Sequence, residues 1–148
     1  MQSKTLFYSV LLIILLVFTV FNANTTPAAS STVTARLSGA SEVPVVLSSG
    51  SGTLTASFDR RTRVLKWAIS YSGLSEPLTA THFHGPALAG ENAEVAVAVS
   101  GNLASPINES TTLTATEMDE LLAGKWYVNL HTATHPKGEI RGQLSVQP

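Results

Sequence analysis

The chain has four histidines, and they fall in two short segments. His82 and His84 stand in Thr81-His82-Phe83-His84-Gly85-Pro86, and His131 and His135 in Leu130-His131-Thr132-Ala133-Thr134-His135. Residues two apart on a strand project the same way, roughly 7 Å apart at the backbone. That spacing lets two imidazoles converge on one metal ion. His131 would add a third nitrogen, and His135 is the candidate fourth ligand. Imidazole donors suit zinc, copper, iron or nickel, and of these copper and zinc are the expected occupants. The chain has no cysteine, which removes zinc-thiolate and blue-copper designs. A structural reading of the same residues stands beside this one: His-x-His arises by chance, and His131 hydrogen-bonds a loop carbonyl.

Other chemistry has less support. No serine lies in a Gly-x-Ser-x-Gly elbow, and no phosphate loop or dinucleotide fingerprint is present. Glu139 and Arg141 share the polar face of the last predicted strand and are expected to form ordinary cross-strand pairs. Glu42, in a break beside Pro44, is placed to turn inward toward Arg141. Asn24-Thr25-Thr26 and Asn108-Glu109-Ser110 match the glycosylation sequon, relevant only in a eukaryotic source.

The elements that must position the histidines follow from period-two alternation. Val33, Ala35 and Leu37 mark a first strand, and Leu54, Ala56 and Phe58 a second. Asp59-Arg60-Arg61-Thr62 turns into a third, in which Leu65, Trp67 and Ile69 share a face. Leu78 to His84 is the next strand, with Leu78 and Ala80 on the histidine side, so the histidines extend an apolar row to the rim of the core. Gly85-Pro86 ends it. Val95, Val97 and Val99 follow, then a polar loop from Ser105 to Thr112. Thr114 with Glu117 has capping-box spacing and Gly124 suits the residue past a helix end, which predicts one helix of about two turns. Trp126 to His131 and Ile140 to Leu144 close the chain as a hairpin with a polar, histidine-bearing connection. The expected fold is an all-β antiparallel sandwich of about seven or eight strands with one short helix.

The first 29 residues are set apart. Lys4 precedes an apolar run from Leu6 to Phe21, followed by small and polar residues as far as Ser30. That order predicts a signal peptide over 1–29, with an uncleaved N-terminal anchor as the alternative. The remainder, 32–147, suits one domain that is secreted, periplasmic or at the cell surface and rests on its core rather than on disulfides. Formal net charge is −1, and the one basic cluster, Arg60, Arg61 and Arg63, falls in a predicted hairpin tip. Nucleic acid is therefore not an expected partner.

Three blocks carry a family resemblance: Leu37 to Pro44, Thr81 to Pro86, and Trp126 to Thr132 closing with Pro136-Lys137-Gly138-Glu139-Ile140-Arg141-Gly142-Gln143-Leu144. Together they resemble the CHRD domain, a module named from chordin and found singly in many bacterial exported proteins. Val45 stands where members usually have a second proline, and His135 where they more often have another polar residue. The resemblance implies an immunoglobulin-like β-sandwich and supplies no settled activity, and the first reading is a non-enzymatic module. In chordin the domain belongs to an extracellular growth-factor antagonist, which implies an unknown protein as a partner here. The His-x-His strand with a later histidine also looks like the copper arrangement of copper–zinc superoxide dismutase. This chain lacks that enzyme's cysteines and has too few histidines for both of its metals, so a redox activity is only the third reading.

Overall fold

Alternation of buried and exposed side chains runs through residues 30–147, which the computed structural model of the chain describes. The predicted signal peptide and the Asn24 sequon lie outside the described residues. The elements are β1 (Ser30–Ser38), β2 (Ser51–Asp59), β3 (Val64–Ser72), β4 (Leu78–His84), β5 (Val95–Ala98), β6 (Ile107–Thr112), α1 (Ala115–Leu122), β7 (Tyr127–Thr132), β8 (Ile140–Gln143) and β9 (Ser145–Gln147). All pairings are antiparallel. Eight strands follow one hydrogen-bonded path, β5-β4-β7-β8-β1-β2-β3-β6, and the short β9 pairs with β1.

The path folds over on itself. β3 and β4 are separated by four strands along it, yet the Trp67 and Phe83 rings meet edge to face with centroids 4.9 Å apart. Between the two halves lie Val33, Leu37, Leu54, Phe58, Leu65, Ile69, Val128, Leu130 and Ile140, all at most 2 % exposed. Burying each such side chain stabilises the fold by roughly 1.5–3 kcal/mol. This is the expected all-β sandwich, with β1 joining its two halves.

The predicted terminal strand is cut at Leu144. Its N–H bonds the Trp126 carbonyl at 2.9 Å, so Ile140–Gln143 pairs with β7 while Ser145–Gln147 crosses to β1. The helix matches its sequence signature. Thr114 and Glu117 form the reciprocal capping box, and Gly124 at φ +69° follows the last turn. There the Gly124 and Lys125 N–H groups bond the Leu121 and Glu120 carbonyls, so the end carbonyls are satisfied.

Two expectations are corrected. Residues 107–112 form an edge strand in six-residue register with β3 rather than a loop. Only Ile107 in it is fully buried, so pairing with a ready-made edge overrides the weak local signal. The histidines also face away from the core. In β4 it is Thr81 and Phe83 that point inward. The register slips between Leu78 and Ala80, so the apolar row read there is local to an irregularity and does not continue into the core.

Candidate metal centre

Strands β4, β7 and β8 place a polar row on the outer face of the sheet. Across these strands His84 stands opposite Tyr127, His82 opposite Asn129, and Ala80 opposite His131, while Asn129 is also opposite Arg141. One face of an antiparallel sheet is ordinarily solvated. Here every residue of β7 is buried on both faces, because two loops roof the outer one. From the loop after β4, Ala93 supplies a carbonyl to His84 Nδ1 at 3.0 Å and an N–H to the Tyr127 hydroxyl at 3.3 Å. From the β7–β8 loop, the Pro136 carbonyl meets His131 Nδ1 at 3.0 Å, and the Lys137 carbonyl accepts from Asn129 Nδ2 at 3.3 Å. Gly85 starts the first roof. A Cβ there would collide with the Trp126 indole, so only glycine lets the chain turn over that ring.

Three imidazoles converge beneath the roof. His82 Nδ1 lies 3.1 Å from His131 Nε2, and one nitrogen from each of His82, His84 and His131 falls within 4.8 Å of the others. A carbonyl only accepts, so His84 and His131 each donate from Nδ1. In the neutral rings the lone pair is then on Nε2, and both Nε2 atoms point at the centre of the cluster, 3.0 and 2.9 Å from Asn129 Oδ1. An outer hydrogen bond of this kind is what fixes tautomer and ring orientation in histidines that hold metals.

Electrostatics favour the neutral form of two of the rings, His82 and His131. Burial, and then the neighbouring His84, hold the His82 imidazole below its ordinary value. Burial also pushes His131 down, with His82, His84 and Arg141 adding to it and only the Pro136 carbonyl opposing.

His135 stands apart. The three-imidazole group does not include it, and it lines a separate cleft of about 220 Å³ with Glu42, Val43, Pro44 and Lys137. Its N–H and carbonyl close a tight turn with Thr132, which holds the ring away from the cluster.

Around the cluster are charged residues whose roles are legible only in part from their types and spacing. Glu42 does turn inward: its Oε2 accepts from Arg141 Nε at 3.0 Å, with both side chains at most 5 % exposed. Burial pushes the Glu42 carboxyl above the usual range although Arg141 pulls it down. Arg141 Nη1 and Nη2 donate to the Glu91 carbonyl at 3.0 Å and Asn92 Oδ1 at 2.7 Å, so it ties the first roof to the sheet. Neither Arg141 nor Glu139 forms the ordinary cross-strand pair expected of it. Fully buried, Glu139 accepts from Ser48, Thr132 and both the N–H and hydroxyl of Ser75, and these bonds outweigh its burial and hold its carboxyl at about 2. Asn129 and Tyr127 were missed as site residues. Their signal was present, since both share the His131 face of the strand.

The CHRD domain family matches residues 33–144. No curated protein and no solved structure matches the chain.

Proposed function

The chain belongs to the CHRD domain family, and from that we propose an exported, non-enzymatic binding module that holds one transition-metal ion, copper or zinc. The observation that carries the reading is the convergence of His82, His84 and His131, with the far nitrogens of His84 and His131 pinned by the carbonyls of Ala93 and Pro136. Each ring is fixed by a strand beneath it, and two of the three by a roof above, so little order is lost when an ion binds. The apolar run from Leu6 to Phe21 supports export.

Titration calorimetry of the purified protein with zinc and copper salts tests this. One ion per chain should bind with Kd below about 10 μM, and uptake should vanish in the H82A/H84A/H131A variant. Uptake that is weaker, or unchanged in that variant, defeats the reading. A second reading has its own support in the same carbonyl bonds, which would serve equally to fasten two loops. On that view the module binds a protein and the histidines are structural, and a wild-type chain that takes up neither metal is its expected result.

A further inference from the structure

Asn129 stands at the centre of the cluster and presents an oxygen where a hydrogen-bond donor would be expected. It is 1 % exposed, and its Oδ1 lies 3.0 Å from His84 Nε2 and 2.9 Å from His131 Nε2. Both nitrogens carry lone pairs, because their rings donate from Nδ1 to the roof carbonyls. No proton lies between Asn129 Oδ1 and either Nε2, and the donor that can reach His131 Nε2 is His82 Nδ1, at 3.1 Å.

Turning the amide over would bring its NH₂ to the imidazoles, but the surroundings oppose it. Nδ2 now donates to the Lys137 carbonyl, and an oxygen in its place would face that carbonyl instead. The Glu42 carboxylate closes the same side. Its Oε1 is buried without a hydrogen-bond partner, and both it and Asn129 Nδ2 press on the space where a Gly138 side chain would stand. Carbonyl and carboxylate oxygens only accept, so the amide is held with its own oxygen toward the imidazoles. Converging lone pairs, those of His84, His131 and Asn129 fixed by outer partners, are complementary to a cation.

The spacing agrees. Zinc–ligand distances of 2.0–2.1 Å in a tetrahedron place neighbouring donors about 3.3 Å apart. The contacts from His84 Nε2 to Asn129 Oδ1, Asn129 Oδ1 to His131 Nε2, and His131 Nε2 to His82 Nδ1 are 3.0, 2.9 and 3.1 Å. A bound ion would spread these three contacts by a few tenths of an ångström and draw in the remaining separations among the imidazole nitrogens, which lie within 4.8 Å. We infer that Asn129 Oδ1 is the fourth ligand of a closed site made of three nitrogens and one oxygen, suited to zinc(II). The inference rests on the metal-binding reading above. It also chooses within it: zinc(II) takes nitrogen and oxygen donors in a tetrahedron, whereas soft copper(I) gains little from an amide oxygen and copper(II) prefers a tetragonal set. Four protein ligands leave no position for a substrate, which fits a binding module rather than a redox or hydrolytic centre.

Cobalt(II) is the probe, added to the purified chain in place of zinc. The wild type should give the intense visible bands of four-coordinate cobalt, unchanged as the pH is raised from neutrality, because no bound water is present to ionise. N129L, which keeps the volume and removes the donor, should bind zinc at least about tenfold more weakly, and N129D, which adds an anionic oxygen, should bind it more tightly. Should N129L fail to fold, the wild type decides alone: with ¹⁵N-asparagine labelling, the Asn129 side-chain amide should be strongly hyperfine-shifted by cobalt. A five- or six-coordinate or pH-dependent spectrum, an N129L affinity within about twofold of wild type, or an unshifted amide overturns the inference while leaving metal binding intact. A wild type that binds neither zinc nor cobalt overturns both.

Discussion

His84 and Tyr127 stack face to face, with ring centroids 4.8 Å apart and planes within 5°. Arg141 lies against the same tyrosine, its guanidinium carbon 4.0 Å from the ring centroid. Tyr127 sits on the strand between those of its two neighbours, so the stack links the buried Glu42–Arg141 pair to a candidate ligand.

Removing one partner of that pair should be costly. R141M leaves the Glu42 carboxylate buried and uncompensated, and should lower stability by about 3–5 kcal/mol in denaturant unfolding. The double variant E42L/R141M removes both charges and should recover most of the loss. A double variant as unstable as R141M would show that the packing of the arginine, not its charge pairing, is what matters.

Glu139 gives a pH dependence of definite sign. Its carboxyl titrates near 4.5 when unfolded and at about 2 when folded, so the unfolded chain binds protons first as pH falls. The stabilisation is complete above about pH 5 and disappears toward pH 2, and amounts to roughly 3 kcal/mol. E139Q should be less stable than wild type at pH 7 by a similar order, with a flatter stability curve between pH 5 and 2. An equally steep E139Q curve would place the acid sensitivity elsewhere.

The histidines act in a higher window. The His82 and His131 imidazoles are held below their ordinary value of 6.5, so the unfolded state takes up protons more readily and the apo protein loses stability as pH drops below about 6.5. Protons also compete with a bound metal. Zinc at a hundredfold excess over Kd should add about 2.7 kcal/mol at pH 7.5, which is several degrees of Tm. The gap between holo and apo Tm should close by about pH 5. A Tm indifferent to zinc at pH 7.5 counts against the metal reading.

Gly138 is the sharpest backbone test. It sits at φ +122°, and a side chain there would strike Glu42 Oε1 and, at 2.7 Å, Asn129 Nδ2. G138A should cost on the order of 1–3 kcal/mol from backbone strain, plus whatever the displaced amide and carboxylate lose. Zinc affinity should fall with it. An unimpaired G138A would mean that the roof loop has room to move.

Much of this was legible because alternation exposes which residues share a face. Leu65, Trp67 and Ile69 declared the core side of β3, and the Thr114–Glu117 spacing declared the helix start, where local chemistry alone decides the outcome. His82, His84 and His131 were identifiable as a group for the same reason. The side they occupy was misread because Leu78 and Ala80 are apolar while the slip in register beside them is invisible in composition. Nor does any local signal say that the outer face is roofed. Arg141 reaches Glu91 and Asn92 fifty and forty-nine residues away, and Glu42 ninety-nine away. Asn129 shares the His131 face in the sequence, but its burial is created by loops that only the finished fold brings over it.

The pairing of β1 with β9 sets an order of events. Thr32, Val33 and Thr34 are matched to Gln147, Val146 and Ser145, so the first strand of the domain waits for the last. A chain emerging from its N-terminus could form the β1–β2–β3 meander early, but the join to β8 and β9 must wait until residues 140–147 have been made. Such long-range closure is slow. Under the proposed export and metal binding, that delay would favour passage of an unfolded chain, with folding and metal capture both deferred to the far side of the membrane.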